Sequence, residues 1–173
     1  MKLILLGYMG SGKSSVGKQL AVPLDHKFLD LDLVIEEREG KSIAALFRDR
    51  GEIYFRRRES EIVKSLIQEE KTMVLATGGG TPCYGDTMAY LLAQENVITI
   101  YLKASLEVLT ERLFREQQSR PLIAHVETKE DLKDFIRKHL FERAFYYNQA
   151  SMVIETDGLS VDETARQIIA ALF

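Results

Sequence analysis

Gly7-Tyr8-Met9-Gly10-Ser11-Gly12-Lys13-Ser14, near the start of the chain, fits the phosphate-binding loop pattern G-x-x-x-x-G-K-[ST]. The apolar run Lys2-Leu3-Ile4-Leu5-Leu6 precedes it with the length of a buried parallel strand. After Lys13, apolar residues recur at helical spacing as far as Leu24. A glycine loop between a strand and a helix directs backbone N–H groups at phosphate oxygens. The alternative is a glycine turn before an ordinary amphipathic helix, but both flanks favour a nucleotide phosphate site.

The chemistry of such a loop assigns a role to each of its polar residues. We expect Lys13 to reach the β- and γ-phosphates and the Ser14 hydroxyl to bind Mg²⁺. The backbone around them should surround the phosphates of the nucleotide. The predicted phosphate-binding residues are Gly10, Ser11, Gly12, Lys13, Ser14 and Ser15.

The composition of the 173-residue chain excludes several classes of protein. Its net charge of -3 provides no general basic surface for nucleic acid. Its one cysteine, Cys83, excludes an internal disulfide framework, and its three histidines fit no metal-ligand spacing. No apolar run approaches the length that crosses a membrane. We expect one cytoplasmic domain spanning 1–173, with a monomer as the default state.

Short strands alternate with helices along the whole sequence. The predicted strands cover 2–6, 27–30, 72–76, 97–102 and 151–154. This alternation predicts an α/β three-layer sandwich with a central five-stranded parallel sheet, the P-loop kinase fold. Right-handed crossovers then place the ligand at the carboxyl ends of the strands.

Asp30 and Asp32 occur where the second strand ends, beside the phosphate loop. If the strand continues to Asp32, both side chains point to one face. Asp30 would then support Mg²⁺ through water, and Asp32 would orient an attacking hydroxyl and accept its proton. The alternative is that Asp32 only caps the helix that begins at Leu33.

Two predicted helices place charged residues on apolar faces. At about 100° per residue, Glu59 and Arg56 fall on the stripe of Phe55, Ile62 and Leu66, while Arg57 points away. An inward arginine and glutamate must pair with each other or with a ligand, so a structural ion pair is one interpretation.

On the long helix that starts at Thr128, Arg143 and His139 project from an apolar face, and Asp131 would complete a capping box. A core histidine usually has a hydrogen-bond partner, and we assign His139 no role. Arginine is rarely buried alone. Arg56 and Arg143 therefore suggest a small anion held between two guanidinium groups.

Two loops at the ligand edge of the sheet are also candidates. Gly78-Gly79-Gly80 ends a strand and would let a substrate lie against backbone N–H groups, although three glycines can also form a loose turn. The polar segment 115–126 contains Arg120-Pro121 and has the character of a mobile lid. An arginine over the γ-phosphate would offset charge in the transition state. A plain surface loop is the alternative.

Taken together, these residues resemble the shikimate kinase family over most of the chain, from Leu3 to about Ile154. The resemblance rests on an ordered set of motifs: the phosphate loop, Asp30-Leu31-Asp32, Phe55-Arg56-Arg57 with Glu59, Gly78 to Gly80, Arg120-Pro121-Leu122 and Glu142-Arg143. It implies transfer of the ATP γ-phosphoryl group to the 3-hydroxyl of shikimate, in chorismate and aromatic amino-acid biosynthesis. It also implies a substrate-binding insert at about 32–60 and a lid at about 115–126.

The family pattern implies a role for individual residues of this chain. Asp32, Arg56, the three glycines and Arg143 would contact shikimate. Lys13, Ser14 and Asp30 would serve phosphate and metal, and Arg112 would stack on adenine. Lys13, Asp32 and Arg120 would be the catalytic residues.

The sequence departs from the family pattern in three places. Ser15 stands where threonine is common, Thr81-Pro82-Cys83 is a less familiar continuation of the glycines, and Glu155-Thr156-Asp157-Gly158 matches the adenine-side segment poorly. Gluconate kinase shares the fold but does not require the Asp30/Asp32 and Arg56/Glu59 arrangement. A non-catalytic nucleotide-binding module could lose Asp32 and Arg120, which this chain retains.

Overall fold

The computed structural model describes residues 1–173 and contains five strands and seven α-helices. In chain order these are β1 (Lys2–Leu6), α1 (Lys13–Ala21), β2 (Lys27–Asp30), α2 (Leu31–Glu39), α3 (Ile43–Glu69), β3 (Met73–Ala76), α4 (Thr87–Leu92), β4 (Val97–Lys103), α5 (Leu106–Arg115), α6 (Lys129–Tyr147), β5 (Met152–Glu155) and α7 (Val161–Leu172). Short 3₁₀ turns occupy Thr81–Cys83 and Gln117–Ser119. No helix is both long enough and apolar enough to cross a bilayer.

The five strands form one parallel sheet in the order β2-β3-β1-β4-β5, which confirms the predicted sheet. Strand β1 is central, and every residue in it is buried. Its neighbour β3 pairs Ala76 with Leu5, and β2 pairs Asp30 with Ala76. The carboxyl ends of β1, β2 and β3 therefore lie side by side, and the segments that follow them meet at one edge.

Helices cover both faces of the sheet, as the predicted three-layer sandwich requires. Along β1, Leu3 and Leu5 belong to a core cluster shared with α1 and α7. Ile4 and Leu6 point the other way, into a larger cluster that includes residues of α3 and α6. Because side chains alternate along a strand, β1 contributes to both cores.

The predicted bounds of the second strand, 27–30, are confirmed, but its continuation to Asp32, a cap by Asp32 and a capping box with Asp131 are wrong. Strand β2 ends at Asp30, and the Asp30 side chain accepts a hydrogen bond from the Asp32 N–H at 3.1 Å. The strand does not extend to Asp32. Asp30 caps helix α2 in place of Asp32, so the helix begins at Leu31, two residues earlier than an Asp32 cap would give. Thr128 caps α6, but the Asp131 carboxylate accepts from the Thr128 hydroxyl at 2.7 Å and not from its N–H. The complete capping box is in α7, between Ser160 and Glu163.

Helix α3 changes direction at Gly51, where φ is 81° and ψ is 173°. The left-handed φ is costly for residues with a side chain, so glycine allows the bend. The bend separates the segment that follows Ser42 from the segment that carries Arg56 and Glu59.

Candidate active site

The phosphate loop connects β1 to α1 and has the backbone conformation that its glycines allow. Gly10 and Gly12 have φ values of 80° and 92°, and a Cβ at Gly10 would lie 3.0 Å from the Leu113 side chain. Lys13 lies beneath the loop, where its Nζ donates to the carbonyl oxygens of Gly7 at 2.7 Å and Tyr8 at 2.9 Å. Burial lowers the pKa of Lys13 to about 8, and the nearby Asp32 carboxylate opposes that shift.

Ser14 and Asp30 form the pair of oxygen ligands that the sequence predicts for Mg²⁺. The Ser14 hydroxyl donates to Asp30 Oδ2 at 2.8 Å, so α1 and the end of β2 are in direct contact. No group of three or more acidic, histidine or cysteine side chains forms a metal cage in the protein. A hydroxyl and a carboxylate still fit Mg²⁺, which keeps several waters and binds substrate phosphates in kinase sites.

All the residues predicted to bind the nucleotide line one cavity of about 500 Å³. Its lining includes the loop from Gly10 to Ser15 together with Arg112 and Arg120. The cavity is also lined by residues predicted to bind the metal or the acceptor: Asp30, Asp32, Gly78 and Gly79. Arg56, Gly80 and Arg143 lie beside this cavity and do not line it.

Asp32 has the electrostatic surroundings of a general base. Burial of the carboxyl group, with the charges of Asp30 and Glu59, raises the pKa of Asp32 to about 6. The residue as a whole is exposed, because part of it faces the open cleft, so water limits any effect of this shift on folding stability. A base with a pKa near neutrality is suited to take a proton from a hydroxyl group.

Arg56 and Glu59 face inward, as the helical phase predicts, whereas Arg57 is exposed. Glu59 is only 2% exposed, and its Oε2 accepts from Arg56 Nη1 at 2.9 Å. The second carboxylate oxygen accepts from the Thr81 hydroxyl at 2.6 Å. The Arg56 guanidinium also lies 4.2 Å from the centre of the Tyr84 ring. The ion-pair interpretation is therefore correct for the protein without ligand.

Arg143 has no such partner, since no carboxylate lies within 4.0 Å of its guanidinium group. The Tyr147 hydroxyl interacts with its guanidinium group, its Cζ lies 5.5 Å from the centre of the Tyr8 ring, and its Nη1 lies close to Gly79. Tyr147, one helical turn further on, donates its hydroxyl to the Gly79 carbonyl. Helix α6 thus holds an arginine without a counter-charge against the glycine loop.

The three glycines after β3 contact every charged group predicted for the acceptor. A Cβ at Gly78 would lie 3.1 Å from Glu59 and 3.5 Å from Asp32. At Gly79 it would lie 3.1 Å from Arg143 Nη1, and at Gly80 it would lie 2.7 Å from Arg56 Nη1. None of the three glycines has a left-handed φ. Glycine is favoured here because a Cβ would lie too close to the neighbouring side-chain atoms. The two arginines consequently meet the loop at adjacent residues.

In the predicted lid segment, Arg120 is paired with a carboxylate at the border of the phosphate cavity. Arg120 Nε donates to the Glu116 carboxylate at 2.8 Å, and both residues border the cavity. Arg112 Nη1 donates to the Gly10 carbonyl at 3.0 Å. Both guanidinium groups therefore have partners that a bound nucleotide would have to replace or share.

Some residues of the site were not predicted. Glu116 precedes Arg120 by four positions, a spacing that allows an ion pair on a helix and could have indicated it. The sequence marks Thr81 only as part of an unusual continuation of the glycines, and it gives no signal that Tyr147, on the apolar face of α6, belongs to the site. Cys83 follows the same glycines. Burial raises the pKa of its thiol to about 11, so the thiol remains protonated at neutral pH and is a poor nucleophile.

Comparison with known proteins identifies the family. The shikimate kinase family model matches residues 9–173. The shikimate kinase of Flavobacterium johnsoniae is 43% identical over 171 residues, which cover 99% of this chain and 98% of that protein. The shikimate kinase of Flavobacterium psychrophilum is 38% identical over 172 residues, covering 99% of each.

Solved structures agree with the sequence relatives. The shikimate kinase of Bacteroides thetaiotaomicron superposes with a TM-score of 0.90 at 34% identity, over 99% of this chain and 98% of that one. The Acinetobacter baumannii shikimate kinase, solved in complex with shikimate, gives a TM-score of 0.86 at 32% identity, over 99% and 92% of the two chains. A deoxyadenosine kinase from M. mycoides, 15% identical with a TM-score of 0.62, shares the fold. The predicted resemblance is confirmed, and the chain belongs to the shikimate kinase family.

Proposed function

We propose that the protein transfers the γ-phosphoryl group of ATP to the 3-hydroxyl of shikimate, giving shikimate 3-phosphate for chorismate and aromatic amino-acid biosynthesis. The observation that carries this proposal is the contact of Arg56 and Arg143 with adjacent glycines beside the phosphate cavity. Shikimate has one carboxylate, and two guanidinium groups can hold it by charged hydrogen bonds. The Acinetobacter baumannii relative, solved with shikimate bound, supports the choice of acceptor.

Asp32 would act on the hydroxyl that attacks the phosphorus. Its carboxylate accepts the hydroxyl proton as the bond between that oxygen and the γ-phosphorus forms. The bond from the γ-phosphorus to the bridging oxygen breaks, and ADP leaves with the electron pair. A pKa of about 6 keeps Asp32 ionised at neutral pH and still basic enough to take the proton.

Lys13 and Arg120 would stabilise the charge on the phosphates. Lys13 would exchange its loop carbonyls for phosphate oxygens, and Arg120 would leave Glu116 when the lid at about 115–126 closes. We assign the acceptor-binding segment to about 32–60 of a single domain, and the adenine contact to Arg112. Ser14 and Asp30 would hold Mg²⁺, which supplies positive charge to the β- and γ-phosphate oxygens.

We also propose that the protein works as a cytoplasmic monomer that requires no nucleic acid. Both proposed substrates are small molecules, and all the residues assigned to them come from one chain. Light scattering of the purified protein at assay concentration, with and without both substrates, measures its molar mass and tests whether it is a monomer.

An ATP-consumption assay with four acceptor conditions tests the activity: shikimate, gluconate, AMP and no acceptor. Of the four conditions, we expect only shikimate to support ATP turnover. Chelation of divalent metal should stop this turnover, and added Mg²⁺ should restore it. Phosphorus NMR of the product should place the phosphate on the 3-oxygen. Turnover with gluconate would favour the neighbouring kinase class, and ATP binding without any turnover would favour a non-catalytic nucleotide-binding module.

A further inference from the structure

Tyr8 occupies a variable position of the phosphate-loop pattern, yet it has a defined partner far away in the sequence. It is 1% exposed, and its hydroxyl lies 2.9 Å from His139 Nδ1 on helix α6. With the imidazole neutral, the tyrosine hydroxyl donates this hydrogen bond. Binding phosphate through the loop backbone does not require a buried hydrogen bond from this position.

Arg143 lies one helical turn beyond His139, over the same tyrosine. Its Cζ is 5.5 Å from the centre of the Tyr8 ring, within the range of a cation–π contact. Tyr8 therefore contacts two residues of α6 with two different parts of its side chain. No carboxylate pairs with Arg143: Tyr147 interacts with its guanidinium group from the same helix, and the Tyr8 ring contacts it from the phosphate loop.

His139 is itself held from the other side. The ring of Phe135, one turn earlier on α6, packs against it edge to face with ring centres 4.4 Å apart. An imidazole fixed by Phe135 presents Nδ1 in one direction, and the hydrogen bond to that nitrogen holds the Tyr8 hydroxyl, and with it the ring, in place against α6. The contacts thus run from Phe135 through His139 and Tyr8 to Arg143.

We propose that Tyr8 and His139 are positioning residues for Arg143, which orient its guanidinium group toward the acceptor carboxylate before the acceptor binds. This inference rests on the proposed function, in which Arg143 holds that carboxylate. A free arginine side chain samples many rotamers, and ordering it during binding weakens affinity. A ring that fixes the arginine in advance removes part of that cost, so the benefit should appear in binding of the acid.

The test uses conservative variants that remove one part of the arrangement at a time. Tyr8→Phe removes the tyrosine hydroxyl, and Tyr8→Leu removes the whole aromatic ring. His139→Phe removes the nitrogen that accepts the hydrogen bond from Tyr8 and keeps a ring beside Phe135. Tyr101→Phe is the matched control, because Tyr101 is a buried tyrosine of the same core cluster whose hydroxyl makes no hydrogen bond. Thermal melting of each variant verifies that it folds.

We expect the KM for shikimate to rise roughly 3- to 5-fold in Tyr8→Phe and in His139→Phe, and roughly 10- to 30-fold in Tyr8→Leu. The double variant Tyr8→Phe/His139→Phe should be no worse than either single variant, since the two residues share one hydrogen bond. The kcat and the KM for ATP should stay within about twofold. Tyr101→Phe should match the wild type.

A shikimate analogue with its carboxylate reduced to an alcohol gives the readout that a purely structural role would not change. The variants and the wild type should use this analogue equally well, because the positioned group has nothing to hold. Equal losses with the acid and the alcohol would overturn the inference, as would an unchanged KM for shikimate in all three variants. A rise in the KM for ATP of the same size would instead place the effect in the phosphate loop. If the wild type does not phosphorylate shikimate, the proposed function fails before any variant is measured.

Discussion

Replacing each of the two inward arginines with alanine should separate binding of the acceptor from stability of the fold. Arg143 has no carboxylate partner, so in the protein without ligand its loss breaks no ion pair. A bound carboxylate would gain charged hydrogen bonds from it, each contributing about 1.5–3 kcal/mol. At about 1.4 kcal/mol per tenfold change, Arg143→Ala should raise the KM for shikimate by roughly 10- to 100-fold. The KM for ATP should change little, because Arg143 does not line the nucleotide cavity.

Arg56→Ala should weaken acceptor binding and also destabilise the protein. It leaves Glu59, which is 2% exposed, with only the Thr81 hydroxyl as a hydrogen-bond partner. Breaking a buried ion pair on one side costs about 3–5 kcal/mol. For a chain of this size, each kcal/mol shifts the melting temperature by roughly 2–4 °C, so Tm should fall on the order of 10 °C. Arg56→Ala/Glu59→Gln removes the stranded charge and should recover much of that loss.

Steady-state kinetics and thermal melting of the same preparations test both expectations. The alcohol analogue of shikimate completes the assay: the wild type should use it poorly, and Arg143→Ala should lose little more when the acid is replaced by the alcohol. Equal use of the acid and the alcohol by the wild type would show that Arg143 is structural. A fall in Tm as large for Arg143→Ala as for Arg56→Ala would refute the distinction drawn from their partners.

Four further substitutions test the remaining roles. Asp32→Asn should lower kcat by about 10²–10⁴-fold, and a normal kcat with a lower Tm would mean that Asp32 is only structural. In the wild type, kcat/KM for shikimate should fall below pH about 6, because Asp32 then gains a proton. Lys13→Met should nearly abolish turnover without unfolding the protein, and unchanged turnover in this variant would exclude the loop from the mechanism. In the wild type, kcat/KM for ATP should fall above pH about 8, because Lys13 then loses its proton. Arg120→Ala should slow kcat while equilibrium ATP binding persists, and the opposite pattern would exclude a role at the transition state. Cys83→Ser should remain active, and wild-type Cys83 should react slowly with thiol reagents at neutral pH because its pKa is raised to about 11; a folded but inactive variant would contradict this.

The parts of the site that follow a helical or strand period could be predicted from the sequence. Periodicity placed Glu59 and Arg56 inward and Arg57 outward because burial on α3 follows the 3.6-residue repeat. The same reasoning placed Arg143 on the inner face of α6, and the alternation of strands and helices predicted the parallel sheet. In each case the signal lies within one element and depends on which side of that element faces the core.

Other features depend on contacts that no local pattern encodes. Asp30 and Asp32 are both compatible with a helix cap, and the choice depends on where β2 stops pairing with β3 at Ala76. The Thr81 partner of Glu59 and the His139 partner of Tyr8 are separated from them by 22 and 131 positions. Only the folded chain brings these residues together. A single sequence can therefore indicate that a buried charge needs a partner without indicating which residue provides it.

The glycine triplet explains why these separate elements form one site. Helix α3 provides Arg56 and Glu59, helix α6 provides Arg143, and the end of β2 leads to Asp32; these elements approach the carboxyl edge of the sheet from different directions. A Cβ would crowd Glu59 at Gly78, Arg143 at Gly79 and Arg56 at Gly80, and Asp32 lies in ordinary contact distance of the Gly78 Cβ position. Gly79 also lies against the Met9 N–H of the phosphate loop. The groups proposed to bind the acid are thus separated from the phosphate loop by a single backbone segment, Gly78 to Gly80. A side chain at any of the three positions would push the acceptor groups away from the phosphate, and an acceptor hydroxyl has to lie within about 3–3.5 Å of the phosphorus to react.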